Sequence, residues 1–171
     1  MRSLVLTLLL ALAALAMAPR PAQALPCNAS CSCSVAVDPA AFGGVNPLDF
    51  TGRTITFEVA VTCRVDNPTI IFGDWDVSYG VELMPGNGTL TDPRMAQGAD
   101  VLRYGLYLDA ALTRRWGDGT GGTRTIRNNG LTIRLPQRSR TETWTVWGRL
   151  PGGQNVPVGT YLDALLARVV Y

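Results

Sequence analysis

Residues 147–171 read W147-G-R-L-P-G-G-Q-N-V-P-V-G-T-Y-L-D-A-L-L-A-R-V-V-Y171. A Gly/Pro-rich connection, Pro151 to Gly159, leads into a strand-like apolar run from Thr160 to Tyr171. Leu162 to Val169 has the length of a helical turn or two. Thr160-Tyr161 before it and Val169-Val170-Tyr171 after it are β-branched or aromatic and favour a strand. No turn, polar tail or helix follows. A β-domain with such a last strand either pairs it inside the sheet or leaves a place beside it for a strand from elsewhere.

Working outward, the same two-residue period recurs. Thr54 to Cys63 (T-I-T-F-E-V-A-V-T-C) puts Ile55, Phe57, Val59, Val61 and Cys63 on one face and Thr54, Thr56, Glu58 and Thr62 on the other. Trp75, Val77, Tyr79, Val81 and Leu83 alternate before the break at Pro85-Gly86-Asn87-Gly88. Thr69 to Phe72 reads as a further short strand. Val101 to Asp109 places Leu102, Tyr104, Leu106 and Leu108 together, and Thr141 to Arg149 sets Trp144 and Val146 against Thr143, Thr145 and Trp147. Between them Asp92 to Asp100 reads as a polar connection, with Met95 as a plug over the core. Asn128-Asn129-Gly130, flanked by Thr123–Arg127 and Leu131–Leu135, carries the signature of a tight hairpin turn, because Asn-Gly tolerates positive φ. No segment after residue 24 keeps a 3.6-residue period. Short strands with turn signals every ten to fifteen residues predict one all-β sandwich domain.

The N-terminus reads as a targeting segment. Arg2 supplies the positive start, Leu4 to Met17 the apolar run, and Ala22-Gln23-Ala24 the small-x-small cleavage pattern. A cut after Ala18 would leave Pro19 directly behind the scissile bond, so residues 1–24 are the expected signal peptide and 25–171 the exported domain. The apolar run is shorter than the roughly 20 residues that span a bilayer, so no stable membrane insertion is expected. Of the 15 basic residues Arg2 and Arg20 leave with the signal, and 15 − 2 = 13 then balance the 13 acidic ones. A net charge of zero speaks against nucleic acid or an anionic membrane surface as partner.

All four cysteines, Cys27, Cys31, Cys33 and Cys63, follow the signal, and an even number in an exported chain predicts two disulfides with three pairings open. Because Cys63 lies on the apolar face of its strand, its disulfide should be buried and tie that strand to the first. A metal site is disfavoured by the lack of His and of paired C-x2-C knuckles. The chemistry of catalysis is equally sparse. With no His, the Ser-His-Asp and Cys-His arrangements are unavailable. Asp74 with Asp76, or Asp118 with Asp163, could form a carboxylate pair for hydrolysis. The competing reading is that Asp74 and Asp118 shape turns through their side-chain acceptors. Gly117-Asp118-Gly119-Thr120-Gly121-Gly122 lacks the Gly-Lys-Ser/Thr ending of a phosphate loop and the extra carboxylates of a calcium loop, so a turn is expected there. No cofactor is expected. Trp75, Trp116, Trp144, Trp147 and the tyrosines raise a sugar platform against the commoner reading of core aromatics. Trp116, beside the glycine turn, is the candidate ligand-facing residue. Asn28-Ala29-Ser30 and Asn87-Gly88-Thr89 match the glycosylation acceptor pattern.

Several pieces in order resemble the spore coat protein U (SCPU) domain family, which includes the Csu-type, or archaic, chaperone–usher pilus subunits. They are Cys33-Ser34-Val35, Ala41-Phe42-Gly43, Val61-Thr62-Cys63, Pro93-Arg94-Met95, Leu102 to Asp109, Trp116 to Gly122, Trp147 to Gln154, Gly159 to Asp163 and the final Tyr171. The resemblance implies an incomplete immunoglobulin-like sandwich lacking its final strand, completed first by a periplasmic chaperone and then by a neighbouring subunit's N-terminal extension. It implies a Cys33–Cys63 disulfide, leaving Cys27–Cys31 as the extra pair. It also implies a non-enzymatic role, with an outer-membrane usher and neighbouring pilus subunits as further partners and a path through the periplasm to the cell surface. Tyr161, Leu165, Val169 and Tyr171 would then face the acceptor groove. A donor segment needs roughly ten residues at about 3.3 Å each plus a linker. Residues 25–32 are too short for that, which predicts a subunit that receives a strand but donates poorly, as a terminal or accessory subunit would. The alternative is a self-contained secreted β-sandwich that binds carbohydrate or another surface ligand.

Overall fold

A computed structural model describes residues 25–26, 30–44, 46, 50–68 and 72–171. The described chain is all β, with no helix. In chain order the strands are β1 (Leu25–Pro26), β2 (Cys31–Val37), β3 (Arg53–Val65), β4 (Gly73–Met84), β5 (Gly88–Thr89), β6 (Asp92–Gln97), β7 (Asp100–Arg103), β8 (Gly105–Tyr107), β9 (Ile126–Leu135), β10 (Ser139–Leu150) and β11 (Leu166–Val170).

One sheet runs β2-β3-β10-β8, antiparallel throughout. The other centres on β4. Gly80 and Val81 pair with both β9 and β11, and Trp75 and Asp76 pair with both β9 and β1, so β11 and β1 share the edge opposite β9. A small third sheet, β5-β6-β7, sits beside them.

The period-2 faces of β3, β4 and β10 make the core. Val59, Val61, Cys63, Val81 and Val146 are fully buried, and Phe57, Trp75, Val77, Tyr79 and Leu83 nearly so. Burying each large apolar side chain contributes roughly 1.5–3 kcal/mol. Cys33 and Cys63 face each other in the β2–β3 register and are disulfide-bonded, as the family resemblance implied. Cys31 is also disulfide-bonded, while Cys27 lies outside the described residues.

Five expectations are revised. Asn128-Asn129-Gly130 is no hairpin turn: β9 runs through it, and the register steps from Val77↔Leu131 to Tyr79↔Asn128, so three steps on β9 oppose two on β4. This is a β-bulge, braced by the Gly130 N–H donating to Asn128 Oδ1 at 2.8 Å. Asp92 to Asp100 is not a connection but the β6–β7 hairpin, held by backbone pairing that polar side chains do not advertise. Met95 there does pack against the core. Val101 to Asp109 is two strands, because the chain leaves the small sheet at Arg103 and joins β10 at Gly105. The last strand is shorter than predicted: pairing covers Leu166–Val170, and Thr160–Leu165 is a strap with one bridge, Ala96↔Leu162. Trp116, expected to face a ligand, is buried at 1% exposure. Of the predicted Thr69–Phe72 strand, residues 69–71 lie outside the described residues and Phe72 is an exposed bend.

Candidate functional site: an open groove between the sheets

Among the described residues, β2 pairs only with β3 and β11 only with β4, so each leaves one free edge. Between the segment that follows β2 (residues 38–44) and the strap that precedes β11 lies a cavity of about 890 Å3. Its deep walls are apolar: Phe57, Leu83, Leu102, Leu106, Trp116 and Leu150. Phe42 closes one side, its ring edge-on to Tyr104 with centroids 6.0 Å apart. Strand alternation places Phe57, Leu83, Leu102, Leu106 and Leu150 on the inner faces of their strands.

The strap is fixed by polar contacts. Ala96 and Leu162 exchange backbone hydrogen bonds, with the Ala96 N–H donating to Leu162 O at 2.8 Å and the Leu162 N–H to Ala96 O at 3.1 Å. The Tyr104 hydroxyl donates to Asp163 Oδ2 at 2.5 Å, and the Asn87 N–H donates to Asp163 Oδ1 at 2.7 Å. Burial, and then the carboxylate of Asp163, hold the Tyr104 phenol well above its ordinary pKa. Gly86 makes the close approach workable: a Cβ there would lie 2.1 Å from Asp163 Oδ1 and 2.4 Å from Ala164 O.

At the Trp116 turn, the Trp116 N–H donates to Leu106 O at 2.9 Å and the indole Nε1–H to Val81 O at 3.2 Å. Those bonds swing the ring inward, where it walls the cavity from inside rather than meeting solvent. Asp118 is fully occupied in shaping the following turn. Its Oδ1 accepts from Thr120 N at 2.8 Å and Thr120 Oγ1 at 2.7 Å, and these bonds hold its carboxyl below the ordinary range. Asp74 and Asp76 lie on the outer face of β4, bonded to Arg134 and Thr132 respectively. The two predicted carboxylate pairs are thus committed to structural contacts.

Residues 22–168 match the Spore Coat Protein U domain. The chain belongs to that family. Protein U of Myxococcus xanthus is 28% identical over 139 residues, covering 78% of this chain and 68% of that protein. Among solved structures, the CsuC–CsuE chaperone–tip adhesion subunit pre-assembly complex from the archaic chaperone–usher Csu pili of Acinetobacter baumannii superposes with a TM-score of 0.51 at 15% identity. The match covers 82% of this SCPU chain and 40% of the other, and at that identity it speaks for a shared immunoglobulin-like fold.

Within the SCPU fold the four groove residues expected from sequence fall in different places. Tyr161 and Leu165 line the cavity. Val169 packs inward on the core but outside the cavity lining, and Tyr171 is 55% exposed. Sequence reading missed Phe42, Tyr104 and Leu150 as groove residues. Each sits within a segment carrying the family resemblance, and Tyr104 also shares the alternating face of Leu102, Leu106 and Leu108.

Proposed function

We propose that this SCPU protein is a non-enzymatic, exported structural subunit of a surface pilus or coat, assembled by accepting a strand from another chain. The observation that carries this reading is the apolar cavity of about 890 Å3 between the segment after β2 and the strap before β11, two strands that each leave one edge unpaired among the described residues. An added strand would satisfy backbone groups on an open edge while alternate side chains fill the cavity. The partners are a periplasmic chaperone during export, an outer-membrane usher and then a neighbouring subunit. No described helix is long and apolar enough to cross a membrane.

A receiving rather than donating role has its own support. Leu25–Pro26 pairs in parallel with Trp75–Asp76 of its own β4, so the segment that would reach a neighbour is engaged within its own domain. The test is periplasmic co-expression with and without an archaic-type chaperone. The expected result is a soluble one-to-one complex with the chaperone and aggregation without it. A chain that folds reversibly as a soluble monomer on its own would refute the proposal.

A further inference from the structure

The four tryptophans raised as a sugar platform separate cleanly in the structure. Trp75 and Trp116 are buried in the core, and Trp144 faces inward, its indole N–H donating to the Tyr79 hydroxyl at 2.8 Å. Trp147 differs. On β10 the inward positions are Val146, Gly148 and Leu150, so Trp147 lies on the outer face of its sheet, partly exposed.

Register places it in a row. Thr56 on β3 pairs with Trp147, Trp147 with Tyr107 on β8, and Tyr107 bridges to Arg115. At about 4.8 Å per strand the row is roughly 14 Å long, enough for a short stretch of a polysaccharide. Tyr107 lies flat along β8: a Cβ on Gly105 would be 2.7 Å from Tyr107 Cε2, so the glycine makes room for the ring. Arg115 sits 5.3 Å from that ring's centroid, with NH1 bonded to Thr91 O at 2.7 Å. Arg149 stands one row along, its NH1 and NH2 donating to Thr54 Oγ1 and Thr51 O. The rest of this face on β3 and β10 is mostly threonine: Thr54, Thr62, Thr141, Thr143 and Thr145.

On the outer face of the other sheet Arg134 and Arg168 are each matched by an acid across the strand, Asp74 at 3.2 Å and Glu82 at 2.5 Å, while the exposed Arg127 bonds Thr125 Oγ1. Among the described residues, neither Arg115 nor Arg149 has a carboxylate within ion-pair distance, while Glu58 supplies the acid of this face one row from Trp147. Two guanidiniums outside direct ion pairs, Arg115 with Asp92 as an electrostatic neighbour and its NH2 donating to the Tyr107 hydroxyl at 3.3 Å, beside a partly exposed indole are complementary to a ring-shaped ligand that carries carboxylates.

We infer that the Thr56–Trp147–Tyr107–Arg115 row, with Arg149 beside it, binds an acidic polysaccharide. A pyranose ring lies on the Trp147 indole, uronate carboxylates reach Arg115 and Arg149, and the threonine hydroxyls meet sugar hydroxyls. The site is on the opposite face of its sheet from the groove and does not depend on strand acceptance.

Affinity electrophoresis and calorimetry of the chain in its soluble chaperone-bound form, with chaperone alone as the blank, test the assignment with polygalacturonate against neutral dextran. Saturable binding to polygalacturonate but not dextran is expected, weakening as salt rises. Arg115→Gln and Trp147→Ala should each weaken it about tenfold or more, with Arg134→Gln unchanged. Thermal unfolding of each variant separates loss of the site from loss of the fold, and Arg149→Gln serves where Trp147→Ala fails to fold. Absence of binding by the unaltered protein, equal binding to dextran, or full binding by Arg115→Gln and Arg149→Gln would overturn the inference. So would self-association that Trp147→Ala abolishes, which would assign the face to a second copy.

Discussion

Asp163 anchors the wall of the groove, and its removal should cost more than removal of its partner. Tyr104 is 7% exposed, and its hydroxyl has the Asp163 carboxylate as acceptor at 2.5 Å. Asp163→Ala strands that hydroxyl in an apolar pocket, at about 1–3 kcal/mol for a buried group left unsatisfied. It also frees the Asn87 N–H, which is exposed and can turn to water, adding about 0.5 kcal/mol or less. The expected loss is therefore about 1–3.5 kcal/mol. Tyr104→Phe removes the hydroxyl itself and leaves the half-buried Asp163 with Asn87 and solvent, at about 1 kcal/mol. In the double variant the orphan does not exist, so the two changes should be strongly non-additive, with coupling of about 1–2 kcal/mol. Urea unfolding of the four proteins, in whichever soluble form the chain is obtained, closes this cycle. Additive losses, or Tyr104→Phe costing more than Asp163→Ala, would refute the view that burial of the phenol makes the contact matter.

The remaining expectations concern the disulfide and alkaline pH. Cys33 and Cys63 are 30 residues apart, a loop whose closure in the unfolded chain corresponds to about 3.6 kcal/mol at 25 °C. The Cys33→Ala/Cys63→Ala variant should lose a stability of that order by denaturant titration, and a loss under about 1 kcal/mol would show that the β2–β3 ladder holds without it. Tyr79 and Tyr104 both have folded pKa values raised by burial and then by hydrogen bonds to Glu142 and Asp163. Folding therefore favours their protonated forms, so their contribution is complete below the unfolded value of about 10 and is lost as pH rises above it. The urea midpoint should fall between about pH 10 and 11.5, and less steeply in the Tyr79→Phe/Tyr104→Phe variant. An identical slope in that variant would sink the prediction.

Strands that bury one face were plain in the sequence. The Ile55–Cys63 and Trp75–Leu83 alternations each end inside the sheet they foretold, because burial forces period 2 on the side chains. Features held by backbone pairing alone left no such trace. Residues 92–97 form β6 without an apolar alternation, and their pairing is visible only once β7 is placed beside them. The Asn128–Gly130 bulge has the residues of a turn, and only the pairing of β4 with β9 on both sides of it decides otherwise. Trp116 and Trp147 illustrate the same limit at the site level. A loop position suggested exposure for the first, yet its backbone bonds to Leu106 turn it inward. Trp147 was correctly placed opposite Trp144 and Val146, but its neighbours Tyr107 and Arg115 come from another part of the chain.

The division of the β4 edge between β11 and β1 acts as a ruler. β11 covers Gly80 to Met84 and β1 covers Trp75 and Asp76, leaving Val77 to Tyr79, about 10 Å, between them. No long strand can lie along β4 itself. A strand added on the groove side of this sheet must template on β11, whose five residues span about 17 Å. So short an edge gives little purchase to indiscriminate edge-to-edge stacking. It also shifts the choice of partner from the backbone, which every polypeptide shares, to the side chains that fit the space beneath it.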